Sequence, residues 1–244
     1  MRTTWAILKR EFRSTFTTSM GYVILVVFLV LAAFLTIRGR FFEMRQADLR
    51  VFFDNLPLLY LFFVPAVGMR LWAEERKAGT IEFLFTQPVT VVQAVIGKFL
   101  AGWLFLAAAL LLTTPLVIAV AWLGSPDPWV IGTGYLGAFL MGGAYLGVSV
   151  FCSALTRSQI VSFVLSIGMT GLMVYIDSPA VLTWLAGIVP PHLLDAMADM
   201  SLTGHFEPMR RGVLEFRGLS YYLVLITGLV AVTCLVVDNR RESC

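Results

Sequence analysis

A chain of 244 residues that is 59% hydrophobic and 14% charged, with a mean hydropathy of +0.85, carries more apolar surface than a water-soluble domain of this size can bury. The net charge of +3 reflects an uneven distribution of basic residues between loops, and gives no reason to expect nucleic acid as a partner. Cys152, Cys234 and Cys244 are odd in number and lack metal-ligand spacing, so neither a disulfide framework nor a metal site is expected.

Residues 1–19 precede the first apolar run and hold Lys9, Arg10, Glu11 and Arg13 with no A-x-A site after them, which argues against a cleavable signal peptide. Trp5, Leu8, Phe12 and Phe16 recur at helical spacing beside a basic side of Arg2, Lys9, Arg10 and Arg13, the pattern of an amphipathic interfacial helix. Six nearly uncharged stretches follow, roughly 20–37, 56–73, 99–123, 129–153, 159–176 and 219–237. Each is long enough to cross a hydrocarbon core of ~30 Å as a helix. The expected fold is all-α, a single polytopic membrane domain over 1–244 with six transmembrane helices. Pro65 and Pro115 fall inside the second and third stretches and should kink them.

Between those two stretches lies EERKAGTIEFLFTQPVT, residues 74–90. The second span is expected to emerge as a helix through Glu74, Glu75, Arg76 and Lys77 and to stop at Gly79, which occupies the left-handed region cheaply. Thr80 can cap a short helix with Glu82 in its first turn, and Pro88 ends it. Thr90 with Gln93 forms a capping box that opens the third span. So short a helix needs cover for Ile81, Phe83, Leu84 and Phe85. Spacing alone allows a soluble partner, lipid headgroups or the protein's own helices to supply it.

In the fourth stretch, Gly137, Gly142, Gly143 and Gly147 permit close helix approach, within the chain or to another subunit. Residues 177–218 are too long for a simple connection and divide at Pro190-Pro191. The first part is apolar but too short to span, as expected of a re-entrant half-helix, and the second is mildly amphipathic. His192, Asp195 and Asp199 share a helical face there, read as a solvated surface rather than a metal site.

With the N-terminus inside, cytoplasmic segments hold eleven of the eighteen basic residues, including Lys9, Lys77 and Lys98, while outer segments hold nine of the fifteen acids. Six spans return Arg240 and Arg241 to the cytoplasm. There is no G-x-x-x-x-G-K-[ST], G-x-S-x-G or H-E-x-x-H, and the span centres lack Asp, Glu, Lys and Arg. Neither nucleotide hydrolysis, a catalytic site nor an ion-coupled relay is expected in this chain, so energy for transport must come from a partner.

Three segments in order carry a family resemblance: W-x-I-x-K-R-E-F from Trp5 to Phe12, E-E-R-x-x-G-T-I-E-x-L-x-T-x-P-V with Gly97-Lys98 at the foot of the next span, and L-T-R-S-Q from Leu155 to Gln159. They resemble the permeases of type-2 ABC transporters over essentially the whole chain. Within that family, Arg211 to Leu223 is similar to the gliding-motility type, although Gly218 stands where an acidic residue is expected. The resemblance implies a connecting helix at 1–19 and a coupling helix within 74–90. The latter seats Glu74, Glu75, Arg76, Gly79, Thr80, Glu82, Phe83, Leu84 and Pro88 on a separate soluble P-loop ATPase, which binds ATP and magnesium. Arg157, Ser158 and Gln159 would be a secondary contact, and half-helices in 177–218 would gate the outer mouth. It further implies a second permease copy or paralogue and, for the gliding-motility type, an auxiliary membrane protein with an extracytoplasmic domain. The expected function is therefore an exporter permease subunit in the bacterial inner membrane. The alternative is a membrane scaffold with no transport path.

Overall fold

The computed structural model describes residues 2–38, 49–79, 89–124, 126–185 and 190–241, and every regular element among them is an α-helix. In chain order they are α1 (Arg2–Thr17), α2 (Ser19–Arg38), α3 (Arg50–Gly68), α4 (Arg70–Ala78), α5 (Val91–Leu111) and α6 (Thr114–Leu123). Then come α7 (Pro128–Leu155), α8 (Gln159–Tyr175), α9 (Pro179–Leu185), α10 (Pro191–Ala198), α11 (Leu202–Arg210) and α12 (Phe216–Arg241). Among the described residues, five stretches are long and apolar enough to cross a membrane: Ser19–Arg38, Arg50–Lys77, Val91–Leu123, Pro128–Leu155 and Phe216–Asn239. The run expected to be the fifth span is α8, which is apolar but only 17 residues long. At 1.5 Å per residue it reaches ~25 Å, short of a ~30 Å core. The chain is a multi-pass helical membrane protein.

The most enclosed helix is α7, flanked by α3, α5, α8, α11 and α12. Asp127 caps it through the Trp129 amide, and Pro128 occupies its first turn, where a missing N–H costs nothing. Four of its glycines are spent on packing within the chain. Gly137 receives Phe206 and Met209, Gly142 receives Tyr60, Gly143 receives Trp103 and Ile226, and Gly147 receives Leu229. A Cβ on Gly143 would stand 2.8 Å from Trp103 Nε1, too close for the Trp103 ring and the two helices all to keep their places.

Both expected prolines mark interruptions. The second span breaks at Met69, four residues after Pro65, and the third at Leu112–Thr113, just before Pro115. The first break is stitched by a neighbour. Ser153 Oγ, from the last turn of α7, donates to the Met69 carbonyl at 2.9 Å and accepts from the amides of Trp72 and Ala73 at 3.1 and 3.0 Å. One hydroxyl thereby satisfies three groups that the broken ladder releases in an apolar setting. At the second break, Thr113 Oγ1 donates to the Leu110 carbonyl and lies 2.8 Å from the Tyr135 hydroxyl.

At the opposite end the 177–218 segment forms three short helices rather than two. The expected division at Pro190-Pro191 precedes α10, and a second lies at Asp199–Ser201, where Ser201 caps α11 through the Gly204 amide. α11 is fastened to the bundle through buried Leu202, Phe206 and Met209, and the Tyr222 hydroxyl donates to the Leu202 carbonyl at 2.6 Å. Gly218 is where this fastening needs space: a Cβ would come within 3.3 Å of both Met209 and the His205 carbonyl.

Candidate functional site

Three of the sequence elements singled out above converge at one end of the bundle: α1, the arm formed by α4, and the connection from α7 to α8. The first to be positioned is α1. Of its expected apolar stripe, Leu8 is buried and Phe12 and Phe16 are half-buried, with Phe16 against Phe105 of α5. Ile7 and Leu8 are buried against α5, whereas Trp5 is 65% exposed. Gly97 is the seat, because a Cβ there would lie 2.9 Å from Ile7 Cγ2 and 3.3 Å from the Thr4 carbonyl. The capping box forms as expected, with Thr90 accepting from the Gln93 amide and Gln93 Oε1 accepting from the Thr90 amide. The same Gln93 oxygen also accepts from Thr3 Oγ1 at 3.0 Å, so the cap that starts α5 also holds the start of α1. At its other end α1 folds back into α2 around Gly21, whose missing Cβ would fall on the Thr15 carbonyl oxygen.

Lys98, one residue beyond the seat, is 1% exposed. Its three ammonium protons meet three acceptors: Glu75 Oε1 at 2.7 Å, the Leu71 carbonyl at 2.8 Å and Glu11 Oε1 at 3.5 Å. The Trp72 ring lies 5.1 Å away, close enough for its face to attract the cation. Arg10 completes the group by donating to Glu11 at 2.8 Å and standing 3.8 Å from Glu75. Two cations and two anions from α1, α4 and α5 thus form a neutral cluster, the condition under which buried charge is tolerated.

Burial by itself would push the Glu11 carboxyl up, but the Lys98 charge and the Arg10 hydrogen bond together outweigh it and hold Glu11 below its ordinary value of 4.5. A carboxylate held low stabilises the fold above its ordinary value and loses that contribution as pH falls through its lowered one. The melting temperature of wild type in detergent should therefore exceed that of Glu11→Gln at pH 7. The difference should shrink on acidification below about pH 4.5. A difference that stays constant from pH 7 to 3 would show that Glu11 contributes no charge-dependent stability.

The arm α4 ends where expected. Gly79 adopts φ 69° and ψ 7° and its amide reaches back to the Arg76 carbonyl at 3.4 Å. Of the charged residues expected to face a partner, three are among the described residues, and Glu74, the most open of these, pairs with Arg70 at 3.1 Å. Glu75 turns inward to Lys98, and Arg76 Nη1 donates to the Ala154 carbonyl at 2.6 Å. Thr80, Glu82, Phe83, Leu84 and Pro88 lie outside the described residues. Ala154 is three positions before exposed Arg157, and Ser158 sits at the start of α8 ahead of Gln159. Arg76 therefore joins the two loops that were expected to act together. Lys98 and Glu11 both stand in the segments that carry the family resemblance, but their pairing with Glu75 was not expected from the sequence. A lysine seven residues inside a helix whose span is otherwise uncharged was the available signal.

Fold and site together define a multi-pass helical membrane protein with an internally braced set of loops and helix ends on one side of the membrane. The family model for the ABC-2 family transporter protein matches residues 5–236, and the chain belongs to that family. A search of curated proteins finds no significant match. The family makes the chain a membrane permease subunit of an ABC transporter, and it implies an ATPase subunit as partner.

Proposed function

We propose that this permease is an exporter subunit of the bacterial inner membrane, with six spans and both termini cytoplasmic. A separate soluble P-loop ATPase, carrying ATP and magnesium, docks at residues 74–90 and at Arg157, Ser158 and Gln159. The chain catalyses nothing itself and transmits force. Work done in the ATPase moves two permeases, a second copy or a paralogue, so that their interface opens to alternate sides. An auxiliary membrane protein with an extracytoplasmic domain belongs to this reading through the gliding-motility resemblance.

One observation carries it. The arm leading into the 80–88 segment is tied to both other cytoplasmic elements, to α1 through the Lys98 cluster and to the α7–α8 connection through Arg76. A docking element whose stem is braced to two spans and an interfacial helix can displace all of them at once.

The test is co-purification of the ATPase with tagged permease in mild detergent, followed by its hydrolysis rate with and without the permease. Glu82→Lys should reduce recovery of the ATPase about tenfold, as expected when a charged interfacial contact is reversed, while membrane insertion persists. Undiminished recovery removes Glu82 from the docking surface. An ATPase whose rate ignores the permease supports the scaffold reading.

A further inference from the structure

Two cavities meet between α2 and the α3–α4 arm. The first, about 450 Å³, lies beside the Lys98 cluster and is lined by Arg10, Glu11, Ser14, Thr18, Arg70 and Glu74, among others. The second, about 350 Å³, is an apolar groove walled by Val27, Leu31 and Leu35 of α2 and by Leu58 and Phe62 of α3. Both are lined by Ile24 and Ala66, so the two adjoin along α2 and α3. The groove follows α2 from Val23 to Leu35, ~18 Å at 1.5 Å per residue, close to the ~15 Å depth of one leaflet's hydrocarbon. Val23, Val27, Leu31, Leu58 and Phe62 are all exposed, so the groove opens on the lipid side of the bundle. A charged cup at the depth of the headgroups thus adjoins an apolar channel one leaflet long.

We propose that this two-part site binds one phospholipid with an ethanolamine headgroup in the leaflet adjoining α1. The choice of headgroup follows from charge. The cup carries three cations, Arg10, Arg70 and Lys98, and three anions, Glu11, Glu74 and Glu75. Lys98 is occupied by its three acceptors, whereas Arg10, which donates from one Nη to Glu11, and Arg70, which donates from Nε to Glu74, keep further N–H groups for a phosphate, and guanidinium groups suit phosphate oxygens. Glu74 then faces the headgroup's other end. It is half exposed and paired with Arg70 by a contact of the weak i,i+4 kind, which a zwitterion can replace in full, phosphate on arginine and ammonium on carboxylate. An anionic headgroup gains the arginines but meets Glu74 without compensation. A choline headgroup has no N–H to give the carboxylate. The acyl chain fills the groove between α2 and α3. The site requires only that the chain sit in a bilayer, so it stands apart from any role for an ATPase.

Native mass spectrometry of the full chain in detergent, offered equal amounts of phosphatidylethanolamine, phosphatidylglycerol and phosphatidylcholine, tests this. One phosphatidylethanolamine per chain should be retained, about tenfold over the others, the ratio a single charge-assisted hydrogen bond supplies. Leu31→Trp, which plugs the groove from its exposed side, should abolish that retention. Val164→Trp on the outward face of α8 should not. Glu74→Lys should turn the preference toward phosphatidylglycerol, a switch that misfolding cannot imitate. Equal retention of the three lipids, or retention unchanged by Leu31→Trp, would make the bound lipid merely annular and overturn the proposal. So would an intermolecular disulfide formed by Leu31→Cys in native membranes, which would assign the groove to a second copy of the chain.

Discussion

Lys98→Met should lower stability in detergent by about 3 kcal/mol, because it removes the buried cation that α5 contributes to the cluster and leaves Glu11 and Glu75 with only the half-exposed Arg10 to offset them. Removing one partner of a buried ion pair costs ~3–5 kcal/mol. The lower end applies here, since the Glu11 and Glu75 side chains keep 17% and 20% of their surface exposed. The double change Lys98→Met with Glu75→Gln should recover part of the loss, which distinguishes electrostatic repulsion from damage to packing. If the lysine only fills space, Lys98→Met will melt with wild type and the double change will be no better. Within the proposed transport cycle the same substitution should uncouple the ATPase from the permease, although Lys98 lies behind the docking face.

The second large effect belongs to Gly21→Ala. A single methyl would collide with the Thr15 carbonyl oxygen, which is backbone and cannot rotate aside as a side chain would. Relief requires opening the elbow between α1 and α2, and that lifts Ile7 from Gly97 and Glu11 from Lys98. Overpacking of this kind costs ~1–3 kcal/mol. A value of about 2 kcal/mol raises the undocked population of α1 roughly thirtyfold. Tryptic cleavage after Lys9, Arg10 and Arg13 should accelerate by about that factor where it tracks the open form. Met20→Ala, one residue earlier and exposed, should not change the rate. Equal cleavage of the two variants would mean that the elbow tolerates the methyl and that Gly21 does not fix the seat of α1.

Features set by neighbouring residues could be read before the structure was seen. The left-handed Gly79, the Thr90–Gln93 box, the interruptions near Pro65 and Pro115, and the division at Pro190-Pro191 each depend on a few consecutive residues. The long apolar runs were legible for the same reason, and α8 was overestimated only as to its length. The edge of the covered face of α1 was not legible, because Trp5 and Ile7 are both apolar and only the position of Gly97, ninety residues away, decides which of them is covered. The Lys98 cluster was hidden for the same reason. Its partners stand at 11, 71 and 75, and no local pattern ties them to residue 98. Glu75 and Arg76 looked like two more members of a charged rim. Their inward contacts depend on α5 and α7 arriving beside them.

The break at Met69 has a mechanical corollary. Interrupted helices ordinarily act as hinges, and α4, nine residues and ~13 Å long, would swing freely about Met69 if nothing else held it. It is clamped along its length instead, by Ser153 at its root, Lys98 at its middle and Ala154 near its tip. Such an arm is a stiff lever with its fulcrum displaced into the bundle. A load applied at Gly79 would be shared between the foot of α5 and the last turn of α7 instead of bending the chain at Met69.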